Sequence, residues 1–492
     1  MSQISIKSLT FGYDGSYENV FENLTVSFDT DWKLGFVGRN GRGKTTLLRL
    51  LMGQYAYSGS IVSPVGFSYF PYEVPDREEL TMDMLRAIAP EALEWEFLRE
   101  LSLLNVGEDA LWRPFSTLSG GEQTKALLAA LFVKPENFLL IDEPTNHLDI
   151  EARALVAAYL KSKRGFLLVS HDRAFLDGCV DHILAINRTG MQVIKGNFST
   201  WLANKEQQDA FEREENERLK GEIRRLSDAA ARTANWSDRV EATKIGEHVA
   251  DRGAVGHKAA KMMKRATAIE KRRTVAIEEK EKLLKDIEYA SALILRPLSH
   301  YAKTLAEARE FSIRYGEKTV FEDVRFDVPR GERIALSGKN GSGKSSILKL
   351  LAGADIPYTG TLRVASGLTV SYVPQDTSFL EGYVISYAKA AGVDVSLFLT
   401  LLRKLDFPRA QFEKDMRAFS AGQRKKVLLA KSLCEQAHLY LWDEPLNYID
   451  VLSRMQIENL LKEYEPTMLF VEHDRAFIDA VATQVVELCF FE

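Results

Sequence analysis

Apolar and polar positions keep two different rhythms along this chain. The opening stretch MSQISIKSLTFGY alternates them, the period of two that puts every second side chain on one face of a strand. KLGFVG (33–38) is a short apolar run leading into a glycine-rich loop, and TTLLRLLMG (45–53) then spaces its leucines as a helix does. NFLLID (137–142) is again short and apolar, and ends in an acid as a central strand feeding a site would. Strands alternating with helices predict an α/β fold of βα units around a mainly parallel sheet buried on both faces. Between about 201 and 300 the period changes. FEREENERLKGEIRRL sets Phe211, Leu219, Ile223 and Leu226 on one helical stripe. Beyond Gly246, Gly253 and Gly256, residues Met262, Ile269, Ala276 and Leu283 follow at seven-residue spacing. Two amphipathic helices joined by a glycine-containing loop predict an antiparallel helical hairpin.

The α/β pattern is written twice. FVGRNGRGKTTLLRLL (36–51) recurs as LSGKNGSGKSSILKLL (336–351), FLLIDEPTNHLD (138–149) as LYLWDEPLNYID (439–450), and LVSHDRAFLD (168–177) as FVEHDRAFID (470–479). Lys44 precedes Asp142 by 98 residues and Lys344 precedes Asp443 by 99; the steps to His171 and His473 are 29 and 30. Several spacings preserved together mark two copies of one domain, at 1–200 and 301–492, with the hairpin at 201–300 as linker.

Composition narrows the class. A chain of 492 residues, 46% apolar and 27% charged, is too long for one core and reads as globular. No run nears the roughly 18 apolar residues of a membrane span, and the N-terminus reads as a strand rather than a signal peptide. Cys179, Cys434 and Cys489 show no metal-ligand spacing. The expectation is a reduced cytoplasmic protein without structural zinc or an iron–sulfur cluster. Net charge is −5, yet thirteen Lys or Arg against six Asp or Glu lie between Arg224 and Arg273, a local excess of seven positive charges.

GRNGRGKT (38–45) and GKNGSGKS (338–345) both fit G-x-x-x-x-G-K-[ST]. Gly38, Gly41 and Gly43, and Gly338, Gly341 and Gly343, let backbone N–H groups turn inward around phosphate oxygens, with Asn40 and Asn340 in the same loops as further nucleotide-binding candidates, and the helix that follows offers its positive end. Lys44 and Lys344 are candidates to reach the β- and γ-phosphates of ATP, Thr45 and Ser345 to ligate Mg²⁺, with Thr46 and Ser346 beside them. Asp142 and Asp443 are placed to hold the Mg²⁺, and Glu143 and Glu444 to orient and deprotonate an attacking water.

LSGGEQTKALLAALF (118–132) and FSAGQRKKVLLAKSL (419–433) resemble the signature of ATP-binding-cassette (ABC) ATPases. The resemblance implies two composite sites at a head-to-tail interface of the two cassettes. One pairs Lys44 with Ser420, Gly422 and Gln423; the other pairs Lys344 with Ser119, Gly120, Gly121 and Glu122. It makes His171 and His473 γ-phosphate sensors, Tyr13 and Tyr315 the adenine-stacking aromatics, and Asp149 and Asp450 the interface aspartates. Gln375 matches the glutamine that couples Mg²⁺ and water to the rest of its domain, but its first-copy counterpart is Tyr72. The second signature has Ala421 for a glycine and starts with Phe419. Both departures fall on the Lys44 site, so the two sites are expected to be unequal, with ATP bound at both.

Two cassettes fused through a long hairpin, DEPTNHLD, and GNFSTW (196–201) resemble the ABC-F group, tandem ATPases that act on the ribosome. Within it the chain looks most like the Lsa-type antibiotic-resistance, or ribosome-protection, proteins of Gram-positive bacteria. The stretches WKLGFVGRNGRGKTTLLRLL, LWRPFSTLSGGE, QRKKV and WDEPLNY carry that similarity. Tyr72 lies 47 residues before Ser119 and Gln375 lies 45 before Ser420, so no inserted arm is expected, and nothing long follows His473, so no C-terminal extension is expected either, as in that type. The resemblance implies a monomer whose cassettes close on each other, which enters the exit site of the 70S ribosome and meets peptidyl-site tRNA and 23S rRNA. It further implies resistance to lincosamides, pleuromutilins and streptogramin A. Candidate phosphate contacts on the basic hairpin are Lys258, Lys261, Lys264, Arg265, Lys271, Arg272 and Arg273, with His257, Met262 and Met263 placed to meet bases. A solvated helical face is the plain alternative for any one of them. A housekeeping factor for stalled ribosomes and a transporter ATPase are the other readings of the whole.

Overall fold

In the computed structural model the chain is described over residues 2–13, 19–133, 137–146, 148–187, 190–242, 271, 293–315 and 318–488, the side chains of 226–242, 315, 318 and 410 excepted. It forms two compact units. One comprises Met1–Trp201 with Ala290–Glu492, and so holds both copies; the other is Leu202–Tyr289.

The first copy runs β1 (Gln3–Phe11), β2 (Phe21–Asp29), β3 (Lys33–Val37), α1 (Lys44–Leu51), β4 (Ser58–Val62), β5 (Gly66–Phe70), α2 (Thr81–Ile88), α3 (Glu94–Leu103), α4 (Gly120–Val133), β6 (Asn137–Asp142), α5 (Ile150–Ser162), β7 (Phe166–Val169), α6 (Arg173–Cys179), β8 (His182–Asn187) and β9 (Gly190–Lys195). Helix α7 (Phe198–Ala242) follows. The second copy repeats the plan with β10 (Thr304–Tyr315), β11 (Lys318–Pro329), β12 (Arg333–Ser337), α8 (Lys344–Leu351), β13 (Tyr358–Val364), β14 (Val370–Val373), α9 (Val384–Ala390), α10 (Val395–Lys404), α11 (Ala421–Cys434), β15 (Leu439–Asp443), α12 (Val451–Tyr464), β16 (Met468–Val471), α13 (Arg475–Val481) and β17 (Gln484–Glu487).

The principal sheets run in the orders β5-β6-β7-β3-β8-β9 and β14-β15-β16-β12-β17. All their pairings are parallel except β8 with β9 at one edge. Their central strands are buried because both faces are covered, one by helices and the other by the first helix after the glycine-rich loop together with the antiparallel sheet: Leu139, Leu140 and Ile141 in β6, and Tyr440, Leu441 and Trp442 in β15. The alternating N-terminal stretch pairs antiparallel in a separate three-stranded sheet, β2-β1-β4, repeated as β11-β10-β13. The topology decides where chemistry can occur. β3, β6 and β7 are neighbours running the same way, so the loops that leave their C-terminal ends, carrying Lys44, Glu143 and His171, open into one crevice. β12, β15 and β16 do the same for Lys344, Glu444 and His473.

The start of α7 is pinned within the first unit. Phe198 and Trp201 are buried with ring centroids 5.4 Å apart, and Asp177 accepts the Ser199 N–H at 2.8 Å. Of the expected stripe, Leu219 is buried, whereas Phe211 is 64% exposed. The hairpin loop and the second predicted helix lie outside the described residues, apart from Lys271, which is helical and exposed.

Candidate active site

Each glycine-rich loop turns where only glycine is comfortable. Gly43 and Gly343 have φ of 90° and 86°, and a Cβ on either would come within 2.8 Å of side-chain carbons of the preceding β-element, Val20 or Val320 and Phe21 or Phe321. The helix that follows starts at the lysine. Lys44 is buried and its Nζ donates to the carbonyls of Gly38 at 2.8 Å and Arg39 at 3.2 Å; Lys344 does likewise to Gly338 and Lys339, both at 2.8 Å. Burial holds both ammonium groups below the ordinary lysine value, against the pull of nearby carboxylates.

One residue along each helix, the hydroxyl meets the strand-end aspartate. Thr45 Oγ1 donates to Asp142 Oδ2 at 2.9 Å, and Ser345 Oγ to Asp443 Oδ1 at 3.0 Å. Asp443 Oδ2 is buried and hydrogen-bonded to nothing in the structure. A hydroxyl and a carboxylate in contact, the latter with an oxygen to spare, are an all-oxygen donor set that fits Mg²⁺. Glu143 and Glu444 come next and both sit in the left-handed region, φ 52° and 46°. Their own N–H groups hold them there by donating to the neighbouring strand, at Val169 O (2.9 Å) and Val471 O (3.0 Å). A carboxylate kept in a strained conformation at the rim of a crevice is one whose aim matters.

The sites are built across the two copies. The pocket around Lys44, about 470 Å³, is lined by Tyr13, Asn40, Gly41, Gly43, Thr45, Thr46, Asp142, Glu143 and His171 from the first copy and by Ser420, Ala421, Gly422 and Gln423 from the second. The pocket around Lys344, about 790 Å³, is lined by Asn340, Gly341, Gly343, Ser345, Ser346, Gln375, Glu444 and His473 together with Ser119, Gly120, Gly121, Glu122 and Asp149. Gly338 lies in an adjoining cavity with Asp149. Tyr13, its hydroxyl bonded to Thr46 Oγ1 at 2.8 Å, is 44% exposed at the mouth. Tyr315 lies on β10, its side chain outside the described residues.

Capping chemistry explains how the signature helices present themselves. Ser119 and Glu122, and Ser420 and Gln423, exchange reciprocal backbone–side-chain hydrogen bonds of 2.8–3.3 Å, a capping box that fixes the first turn and leaves its remaining N–H groups to the pocket. Gly422 must be glycine, since a Cβ would sit 2.6 Å from the Tyr448 carbonyl; Ala421, at the departure from the family pattern, is accommodated at the pocket wall. Asp149 and Asp450 cap α5 and α12, each accepting an N–H at 2.9 Å. Buried Asp450 is held below the usual carboxylate range: burial opposes this, but Lys426 and Lys44 outweigh it. Polar contacts tie one copy to the other: Asn40 Nδ2 donates to Tyr448 O at 2.8 Å, Arg153 to His473 O at 3.1 Å, Arg173 pairs with Glu458 at 2.6 Å and Arg39 with Asp406 at 3.9 Å.

The two sites differ in their glutamates. Burial, then the adjacent Asp142 carboxylate, pushes Glu143 up to about 8, and His171, 3.2 Å away, is kept neutral by burial and by Lys44 and Arg454. Burial would raise Glu444 too, but nearby His473, its Nε2 3.6 Å from Oε1, and Gln375 outweigh it and hold Glu444 low. At the Lys44 site Tyr72 is absent from the pocket, and Tyr69 reaches in from β5 to donate to Asp142 at 3.0 Å.

Several pocket residues were not singled out by motif chemistry, although Lys426 lies within QRKKV. Asp406, Phe407 and Pro408 reach the Lys44 pocket from the turn after α10, and Lys426 from the signature helix, paired with Asp450 at 3.5 Å. Tyr448 does sit in a quoted motif, opposite His147 of the first copy, and that substitution was the available clue. Of the candidate RNA contacts, His257, Lys258, Lys261, Met262, Met263, Lys264, Arg265, Arg272 and Arg273 lie outside the described residues.

A paired nucleotide site completed from the other copy, twice over, defines a tandem ABC ATPase. A family model described as "ABC transporter" matches residues 21–146 and again 321–447. The chain belongs to that family, within its ABC-F group, and is an ATP hydrolase. It is 29% identical to the ribosome protection protein VmlR of Bacillus subtilis (strain 168), over 95% of this chain and 83% of the relative. It is 26% identical to the energy-dependent translational throttle protein EttA of Escherichia coli (strain K12), over 95% and 89%. Among solved structures it shares its fold with the archaeal ribosome recycling factor aABCE1, crystallised with the ribosomal stalk protein aP1, at a TM-score of 0.63 and 22% identity over 98% of this chain and 87% of that one.

Proposed function

We propose that this ATPase protects the ribosome from drugs. Closed around two ATP molecules, it docks in the exit site of the 70S particle. The basic hairpin meets peptidyl-site tRNA and 23S rRNA, and the peptidyl-transferase centre is reshaped so that lincosamides, pleuromutilins and streptogramin A compounds are displaced. The observation that carries the reading is the similarity to a ribosome protection protein over 95% of this chain and 83% of that relative. Two complete composite sites and a local excess of positive charge support it, and no helix among the described residues is long and apolar enough to cross a membrane.

Within each site the roles follow from position. Lys44 and Lys344 leave their loop carbonyls for the phosphates; Glu143 and Glu444 orient water in line with the terminal phosphorus and take its proton. His171 and His473 hold those glutamates, and the first-turn N–H groups of α11 and α4 face the γ-phosphate from the opposite copy. Thr45 with Asp142, and Ser345 with Asp443 and Gln375, would hold Mg²⁺, which would supply neutralisation of the phosphate charge. ATP therefore favours the closed cassettes, and hydrolysis times release.

The test is co-sedimentation of the Glu143→Gln, Glu444→Gln double variant, which closes without turning over. Accumulation on ribosomes with ATP is expected; recovery with membranes would instead favour a transporter subunit. A second reading, a housekeeping factor for stalled ribosomes, is favoured by the kinship to a translational throttle protein. Expression in a drug-sensitive host separates them, since only the first raises the inhibitory concentration of all three drug classes.

A further inference from the structure

Lys425 lies on the signature helix α11, five residues after Ser420, and is 2% exposed. Its Nζ donates to three backbone carbonyls: Pro374 O at 2.8 Å, Asp443 O at 3.0 Å and Gln375 O at 3.3 Å. All three protons of a buried ammonium are thereby used, and the charge is met by carbonyl dipoles. The place of those carbonyls matters. They belong to the loop and strand end whose side chains, Gln375 and Asp443, line or support the Lys344 site. The N-terminus of the same helix, Ser420 to Gly422, lines the other site, at Lys44. One rigid helix thus touches one nucleotide pocket with its first turn and grips the catalytic loop of the other pocket one turn later.

The first copy lacks the grip. At the matching position of α4 stands Thr124, buried but without an ammonium or the reach to a loop carbonyl, and the matching loop carries Tyr72 in place of the glutamine. We propose that Lys425 is a positioning residue that makes hydrolysis at the Lys344 site answer to the nucleotide state of the Lys44 site, with no equivalent in the reverse direction. A phosphate drawing the first turn of α11 toward Lys44 moves the Lys425 ammonium, and with it the backbone that aims Gln375 at Glu444. This rests on the assignment of the two composite sites.

The test uses the full chain without ribosomes, in a Glu143→Gln background so that turnover reports the Lys344 site. Lys425→Thr, which copies the first cassette, and Lys425→Met, which keeps the length without donors, are each expected to lower kcat roughly tenfold while the KM for ATP stays within about twofold. Lys425→Gln, which keeps two N–H donors, should recover part of the loss. Ser420→Ala should slow the Lys344 site when Lys425 is present and have no further effect once it is Thr. A purely structural lysine predicts the opposite. The Ser420 and Lys425 effects would then multiply, or kcat would be unchanged in a folded variant, and either result overturns the proposal. Turnover surviving in the Glu143→Gln, Glu444→Gln control would indict the site assignment itself rather than the link.

Discussion

Two glutamates with the same neighbours in sequence stand in different electrostatic surroundings. Glu444 is held ionised by His473 and Gln375, whereas Glu143, buried beside Asp142, keeps its proton to about pH 8. A base already ionised at neutral pH is the better one, so Glu444→Gln should remove most of the steady-state ATPase and Glu143→Gln clearly less. Each substitution should cost its own site about 10²-fold or more; equal losses in the two single variants would contradict the asymmetry. Tyr72→Gln in a Glu444→Gln background should raise the remaining turnover several-fold, measured as phosphate release. The residues of this chemistry were legible because duplicated spacing singles them out. Asp406, Phe407, Pro408 and Lys426 were not, since they enter the Lys44 pocket only when the other copy folds against it. Lys425 hid in plain view, because a lysine in a basic helix reads as solvated until its carbonyls are seen.

The elements divide the labour between holding and sensing. α5 and α12 start from the interface aspartates, and Arg153 on α5 binds Asp172 at 2.9 Å within its own copy and His473 O at 3.1 Å on the other. Arg153→Ala leaves a buried carboxylate unpaired and frees the backbone of His473. It should lower stability by about 3 kcal/mol, read from denaturant melts, and slow the Lys344 site several-fold. Unchanged turnover at full stability would show the bridge to be incidental. Period reading found the strands and the signature helices because burial enforces their patterns. It erred at Phe211, which is exposed although Leu219, further along the same stripe of α7, is buried. The parallel order of the central strands was implied by βα alternation; the separate antiparallel sheets were not, since an alternating stretch fits either arrangement.

At the scale of the molecule, the proposal is that ATP-driven closure of the cassettes presents a cationic hairpin to ribosomal RNA and tRNA. Family and fold were readable from the sequence because two copies of one motif set admit few alternatives, and the meeting of signature and phosphate loop was implied by the family resemblance; the residues that join them from outside the motifs needed three dimensions. Attraction of cations to a polyanion is long-ranged and screened, so binding should weaken steeply as salt rises. The most direct measurement is ribosome occupancy, by co-sedimentation with ATP, of the Glu143→Gln, Glu444→Gln double variant with and without Lys258, Lys261, Lys264, Arg265, Lys271, Arg272 and Arg273 all changed to Gln. The account predicts that the neutralised hairpin lowers occupancy at least tenfold, roughly the loss for a few phosphate contacts, and flattens the salt dependence. Equal occupancy of the two proteins across the salt range would contradict it.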